Sequence, residues 1–249
     1  MTNGTGDGAA AAPRDMDFEA LYQGKPSLPG TELVLDVAPW DIGGPQPALV
    51  ALEEGGQLSG DVLDAGCGLG ENALYLAGRG HRVTGFDAAP TALEQARGRA
   101  AARGLDVTFV QADATTLEGL GQEFDTVVDS ALYHCLDGAQ RGAYAAALHR
   151  VTRAGARLHL FCFADTKWPG FSLPLMAVGQ DDLRTHLGEH WRIEGIELMD
   201  YVTAFTPRFL QQHGSDLGRA GFSVEPDALR VDDTGRVLVP MWQLHAVRR

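Results

Sequence analysis

The residues best suited to chemistry in this chain are an acidic side chain and the glycines that follow it. A short apolar run leads into Asp64, and Gly66, Gly68 and Gly70 follow at alternate positions. Glycines allow a sharp turn and leave no Cβ between the backbone and a ligand. A carboxylate at the mouth of such a loop repels a pyrophosphate and attracts a ligand with a cationic end. The loop therefore favours a ligand that joins an adenosine body to a cationic amino acid.

Three more acidic residues, Asp87, Asp113 and Asp129, each follow or end a predicted strand. In an open α/β sheet, ligands bind outside the carboxyl ends of the strands, where the strand order reverses. We expect Asp87 to accept hydrogen bonds from ribose hydroxyls, Asp113 to accept from an adenine amino group, and Asp129 to face the reactive end. Loop carboxylates are common at strand ends, but four in register with the glycine loop indicate S-adenosyl-L-methionine as the cofactor.

A nicotinamide dinucleotide is the alternative cofactor. The segment 68–73 matches the pattern GxGxxA, and an acidic residue about 20 positions later belongs to the same fingerprint. Asp64 and Glu71 flank the place where the phosphates would lie, which is unfavourable for an anionic ligand. The sequence therefore favours S-adenosylmethionine over the nicotinamide cofactor.

Two side chains are candidates for proton transfer to or from an acceptor. His134 follows the predicted fourth strand, at the reactive end of the site, and histidine titrates near neutral pH. Tyr22, in the N-terminal segment, is the second candidate. A packing role is an equal alternative for His134, and a thiolate, halide or neutral nitrogen acceptor needs no base.

A histidine pair suggests a metal site, which we do not predict. His186 and His190 fit the H-x-x-E-H pattern of some zinc proteases. Gly188 lies between them and weakens the helix that would place both rings on one face. We therefore expect an exposed helix end and no bound metal.

Alternating strands and helices must position these residues. Strands are predicted at 62–64, 82–86, 107–111, 124–129, 157–163, 193–198 and 237–247. Helices are predicted at 46–54, 71–79, 90–103, 139–150 and 181–190. Repeated βα units indicate an α/β fold, with a seven-stranded, mostly parallel sheet, helices on both faces and an antiparallel C-terminal strand.

The chain divides into a tail and one domain. Residues 1–14, rich in Gly and Ala, are predicted to be a disordered tail. Residues 15–249 are expected to form a single domain. Within it, 15–58 form an N-terminal arm over the active site, 59–165 the cofactor-binding core, and 166–249 a C-terminal half that contributes to the acceptor site.

Composition narrows the possible partners. Among 249 residues, 20 are Lys or Arg and 33 are Asp or Glu, which gives a net charge of -13. This charge disfavours nucleic acid and anionic membranes and fits an enzyme acting on small molecules. No apolar run approaches the ~20 residues that span a bilayer, and we see no signal peptide. We expect a cytoplasmic monomer or homodimer with its three cysteines reduced.

Residues 60–165 resemble the class I S-adenosylmethionine-dependent methyltransferases, which implies a Rossmann-like fold. The first motif of that family is similar to residues 62–70, and its second acidic position matches Asp87 in Gly85-Phe86-Asp87. Its adenine-side and fourth-strand motifs are similar to residues 111–114 and 124–130. The resemblance implies cofactor contacts from Asn72, Ala88 and Ala114 in addition to the glycines and acids.

The segment 39–47, PWDIGGPQP, is similar to the segment before the first motif of halide/thiol and thiopurine-methyltransferase-like proteins. This resemblance implies that Trp40 and Gly66 contact the methionine portion of the cofactor and that Tyr22 covers the site. A core position is the alternative for Trp40, because tryptophans are mostly buried.

The predicted function is SN2 transfer of a methyl group to an O, N or S atom of a small aromatic or heterocyclic acceptor. The alternatives are an S-adenosylmethionine-binding protein without catalytic activity and an NAD-dependent oxidoreductase.

Overall fold

The structure, a computed structural model, describes residues 16–121 and 123–249. The predicted tail of residues 1–14 lies outside the described residues. The strands are β1 Asp61–Ala65, β2 Arg82–Asp87, β3 Thr108–Gln111, β4 Phe124–Ser130, β5 Thr152–Phe163, β6 Phe171–Ser172, β7 Trp191–Val202, β8 Ser223–Val224 and β9 Leu238–Arg248. The helices are α1 Phe18–Tyr22, α2 Pro47–Glu54, α3 Glu71–Gly78, α4 Pro90–Arg103, α5 Gly138–Val151, α6 Gln180–Leu187, α7 Pro207–Gln212 and α8 Gly214–Arg219.

Seven strands form one sheet in the order β3-β2-β1-β4-β5-β9-β7. The first five strands of this order are parallel, and β9 runs antiparallel between β5 and β7. The predicted Rossmann-like α/β fold with an antiparallel C-terminal strand is confirmed. The strand order reverses between β1 and β4, so a crevice opens beyond the carboxyl ends of these two strands.

The sheet separates two hydrophobic clusters because successive strand residues point to opposite faces. In β1, Val62 belongs to one cluster and Leu63 to the other, and both are fully buried. The first cluster contains the apolar faces of α3 and α4, and the second contains those of α5 and α6. The fully packed centre of the sheet therefore holds the ends of β1 and β4 rigidly.

The C-terminal half contains more structure than its sequence indicates. β7 pairs with β9 along its whole length, from Trp191 opposite Arg248 to Val202 opposite Leu238, and so extends past the predicted 193–198. The chain between β7 and β9 forms α7, α8 and the short strand β8. β8 pairs with β6. The predicted helix 181–190 ends at Leu187, since a turn follows at Gly188.

The N-terminal segment, which is the predicted arm and is described from residue 16 to residue 58, packs across the carboxyl edge of the sheet. Asp17 caps α1 by accepting a hydrogen bond from the Ala20 N–H at 2.9 Å. The Ala204 N–H donates to the Pro39 carbonyl at 2.7 Å, and the Gln95 side chain donates to the Tyr22 carbonyl at 2.9 Å. The segment is thus held by the core on one side and by the C-terminal half on the other.

Two further features bear on the predictions. Cys67, Cys135 and Cys162 form no disulfide bonds. No helix within the described residues is long and apolar enough to cross a membrane.

Candidate active site

The glycine loop joins β1 to α3 and lies directly under the N-terminal segment. Gly68 has φ +51°, a left-handed conformation that side chains rarely adopt. A Cβ at this position would lie 2.7 Å from the Tyr22 hydroxyl and 3.4 Å from Trp40 Nε1. Glycine is therefore required here by the close approach of Tyr22 as well as by the backbone conformation.

Asp64, near the end of β1, is 1% exposed. Burial raises the pKa of its carboxyl to about 7; the Ala73 N–H opposes this rise by donating to the carboxylate, and nearby Asp129 and Asp87 reinforce it. Its Oδ2 is buried and has no hydrogen-bond partner among the described residues. An unpaired buried carboxylate oxygen is costly, and a ligand cation would satisfy it.

Asp87 ends β2, the strand next to β1. Its Oδ2 accepts from the Gly68 N–H and its Oδ1 from the Ala89 N–H, each at 2.9 Å. These two bonds fix the carboxylate, and burial nevertheless raises its pKa. Each oxygen retains acceptor capacity, as required to bind a pair of ribose hydroxyls.

A cavity of about 230 Å³ opens at Asp87, and we refer to it as the Asp87 cavity. Its lining includes the predicted residues Gly66, Ala88 and Ala114, together with Tyr22 and Trp40 from the N-terminal segment. Several alanines and Phe86 give this cavity an apolar lining beside the Asp87 carboxylate. Such a cavity suits the adenine ring and ribose of an adenosyl ligand.

A smaller cavity of about 40 Å³ adjoins it and is called the Asp64 cavity. Its lining includes Asp64, Gly66, Gly70, Asn72 and Trp40. Trp40 and Gly66 therefore line both cavities. The unpaired Asp64 oxygen in the smaller cavity fits the ammonium group of a methionine portion, so the residues present fit S-adenosylmethionine across the two cavities.

The other two predicted acids are occupied by protein contacts. Asp113 is exposed, and its Oδ1 accepts from the N–H and hydroxyl of Thr115 at 2.7 and 2.6 Å. These bonds lower its pKa. Asp129 is fully buried and accepts from Leu132, Tyr133 and Tyr144 at 2.9 to 3.3 Å. Neither side chain lines the Asp87 or the Asp64 cavity, and their contacts with the cofactor stay predictions.

A third cavity, of about 70 Å³, lies on the other side of Trp40 and is called the aromatic cavity. It shares Phe18, Trp40, Ala131 and Cys135 with the Asp87 cavity. Its remaining lining is mainly apolar and comes from the N-terminal segment, β5, the β6 region and the C-terminal half: Met16, Leu28, Pro39, Phe163, Phe171, Leu173, Met176, Phe205, Phe222, Val239 and Met241. The polar residues of the lining are His134, Tyr201 and Thr203.

The candidates for proton transfer are His134 and Tyr22. His134 is 4% exposed and lines the aromatic cavity, and its Nδ1 accepts a hydrogen bond from the Phe163 N–H at 3.2 Å. The neutral ring therefore carries its proton on Nε2. The Tyr22 hydroxyl accepts from Trp40 Nε1 at 3.1 Å, and burial, together with the charge of Asp87, raises its pKa well above the ordinary value.

Several residues of the site carry no signal in the sequence. Ala131 lines both the Asp87 and the aromatic cavity with φ +83°, although a non-glycine residue rarely adopts this conformation. Ser130 and Tyr201, whose hydroxyls lie 2.8 Å apart, come from β4 and β7. Alanine does not mark a strained turn, and the pairing of distant strands cannot be read from local pattern.

The histidines of the H-x-x-E-H segment separate in the structure. His186 lies on α6 with Nε2 3.7 Å from Asp182, whereas His190 packs against His149. Across residues 16–121 and 123–249, no group of three or more His, Cys, Asp or Glu side chains could hold a metal ion.

The fold and the three joined cavities define the class of a nucleotide-cofactor enzyme, and comparisons with known proteins specify it. Residues 62–155 match the family described as Methyltransferase domain. A 2-heptyl-1-hydroxyquinolin-4(1H)-one methyltransferase of Mycobacteroides abscessus is 35% identical over 232 residues, 93% of this chain and 96% of that protein. A probable thiol methyltransferase 2 of Arabidopsis thaliana is 26% identical over 68% of this chain and 75% of that protein.

A solved structure supports the same assignment. A structure from work on the conversion of a disulfide bond into a thioacetal group during echinomycin biosynthesis is 36% identical, with a TM-score of 0.71 over 93% of this chain and 90% of that chain. The chain belongs to the S-adenosylmethionine-dependent methyltransferase family. It is an enzyme that methylates a small molecule, and S-adenosylmethionine, not a nicotinamide dinucleotide, is its cofactor.

Proposed function

We propose that this methyltransferase acts on a planar heteroaromatic compound and methylates an acidic hydroxyl group on its ring. The observation that carries the proposal is the aromatic cavity, which adjoins the Asp87 cavity at Trp40, Ala131 and Cys135. An apolar cavity with aromatic walls favours a flat ring system. The relative from Mycobacteroides abscessus is named for a hydroxyquinolinone, a compound of this class, and this supports the proposal.

The hydroxyl should be acidic because the candidate bases are poorly suited to remove a proton. The raised pKa of Tyr22 keeps its phenol protonated near neutral pH. At His134, the lone pair of Nδ1 already accepts the Phe163 N–H, and Nε2 carries the ring proton. A hydroxyl that ionises in water before it binds needs no general base.

The acceptor oxygen then supplies the electron pair that attacks the methyl carbon. When bound, S-adenosylmethionine supplies this methyl group on a sulfonium, which leaves as a neutral thioether. The protein contributes alignment of the two reactants and exclusion of water by the apolar walls, and alignment alone is worth about 7–11 kcal/mol. Trp40 lines all three cavities and so lies where they meet.

We further propose that the enzyme works in the cytoplasm as a monomer or homodimer and without nucleic acid. The net charge of -13 supports the last point, because a polyanion is repelled by an acidic protein.

Formation of S-adenosylhomocysteine should be measured with matched acceptors that differ only at the reacting atom. We expect 2-alkyl-1-hydroxyquinolin-4(1H)-ones to react with kcat/KM about 100-fold or more above that of the same ring without the N-hydroxyl group. Aryl thiols of similar size form the third arm. Equal rates with and without the hydroxyl group, or a preference for the thiols, would contradict an acidic oxygen as the acceptor.

A further inference from the structure

The carboxamide of Gln46 is buried in an unusual way. Gln46 is 3% exposed, although it belongs to the N-terminal segment, just before α2. Its side-chain Nε2 donates to the Val202 carbonyl at 3.1 Å, and its backbone N–H donates to Asn72 Oδ1 at 3.0 Å. A carbonyl accepts only from the NH₂ group, so the bond to Val202 fixes which way the amide points.

The opposite atom of this amide, Oε1, has no hydrogen-bond partner among the described residues. Leaving a buried acceptor unpaired costs about 1–3 kcal/mol. Because Gln46 lines the Asp64 cavity, the missing donor belongs in that cavity.

Asp64 Oδ2 is the second unpaired buried acceptor of the same cavity. The other two carboxylates of the lining, Asp41 and Glu71, are already paired with Arg99 at 2.8 and 2.7 Å. A single group could pair with both of these acceptors if it had more than one N–H donor and a positive charge. An ammonium has three N–H donors, and a volume of about 40 Å³ is enough to hold one.

We infer that Gln46 Oε1 and Asp64 together bind the α-ammonium group of the methionine portion of the cofactor. The N-terminal segment thereby contributes a direct contact to the cofactor in addition to covering it. This inference concerns the cofactor alone and does not depend on the proposed acceptor.

The test compares two ligands that differ in the amino acid portion. S-Adenosylhomocysteine carries the ammonium group, whereas 5′-methylthioadenosine occupies only the adenosine part of the site. Binding of both to Gln46→Met should be measured by calorimetry without acceptor. We expect the affinity for S-adenosylhomocysteine to fall about 10- to 100-fold, as for a hydrogen bond to a charged group. The affinity for 5′-methylthioadenosine should change less than about threefold.

The matched control is Gln95→Met. Gln95 also donates its amide to a carbonyl of the N-terminal segment, that of Tyr22, but it does not line the Asp64 cavity. This variant also loosens the N-terminal segment, so we expect it to change the affinities for the two ligands by the same factor and to leave their ratio at the native value. If Gln46→Met weakens the two ligands equally, or weakens neither, the inference is wrong.

A second measurement guards against a general disturbance by the lost bond to Val202. The S-adenosylhomocysteine analogue with hydrogen in place of the α-amino group should bind the native protein more weakly than S-adenosylhomocysteine does. In Gln46→Met this difference should shrink at least about tenfold, because the contact is already lost. An unchanged difference would overturn the role of Gln46 even if the variant is less stable.

Discussion

The unliganded site disfavours the ionised form of the Asp64 carboxyl. Its carboxyl is buried, it lies near two other acids, and its pKa is raised to about 7. Below this pH the group is neutral, and a cationic ligand must displace its proton before pairing with it. The proposed role of Asp64 therefore links cofactor binding to the ionisation of this one residue.

We expect the affinity for S-adenosylhomocysteine to rise with pH up to about 7 and then to level off. Linkage to one carboxyl with this pKa makes binding about 30-fold weaker at about pH 5.5 than at about pH 8. Calorimetric titrations across this range measure the effect. In Asp64→Asn the affinity should be low at every pH, and a variant that kept the full pH dependence would assign the titration to another group.

At this scale the sequence predicted which residues near the glycine loop lie together in the structure. Asp64, Asp87 and the glycines come together because they follow neighbouring parallel strands, which is a local property of the chain. The sequence could not show that Asp113 turns to Thr115 or that Asp129 is held by Tyr144. It also missed Gln46, whose burial depends on Val202.

The N-terminal arm is the element that completes the site. Arg99, on α4, lies between Asp41 of the arm and Glu71 at the start of α3, with N–O distances of 2.8 and 2.7 Å. Both carboxylates are largely buried, so these ion pairs are screened less than surface pairs. Arg99 therefore connects the arm to the helix that starts at the glycine loop.

We expect Arg99→Gln to loosen the arm. A loss of about 1 kcal/mol lowers the population of the docked arm and weakens binding of S-adenosylhomocysteine by up to about fivefold. Amide hydrogen exchange should increase in residues 38–46 and stay unchanged in β4. The control is Arg192→Gln, because Arg192 pairs with Glu194 on the exposed edge of β7. Unaltered exchange in the arm of Arg99→Gln would show that other contacts hold it.

The elements of the parallel half were predictable because each strand ends at a turn and each helix has its own start or stop signal. Pro90 and Gly104 bound α4 as expected. The C-terminal half was not predictable to the same extent. The length of β7 is set by pairing with β9, and α7 and α8 are six residues each in a segment without clear periodicity.

For the whole molecule, a buried histidine pair in the sheet contributes to the response of stability to acid. His159 on β5 and His245 on β9 lie with their Nδ1 atoms 2.8 Å apart. Burial and, to a smaller extent, the neighbouring His245 lower the pKa of His159 to about 4. The folded pKa lies below the unfolded value of 6.5, so the unfolded chain binds this proton first. The contribution of His159 to stability is therefore lost as the pH falls from about 6.5 towards 4.

We expect His159→Gln to reduce this acid sensitivity. Between about pH 7 and pH 5, the free energy of unfolding of the native protein should fall by about 2 kcal/mol more than that of the variant. Denaturant titrations at each pH measure the difference. Parallel pH dependences of the two proteins would mean that other groups govern acid unfolding.

The bond from Gln46 to the Val202 carbonyl also has a consequence for synthesis on the ribosome. Val202 is 156 positions further along the chain. The Pro39 carbonyl likewise accepts a hydrogen bond from a distant residue, Ala204. The arm emerges first and can contact α3 and α4, but these two bonds cannot form until β7 and the residues just after it have been made. The pocket for the cofactor is therefore completed late in translation, and a nascent chain released before β7 would lack its closing contacts.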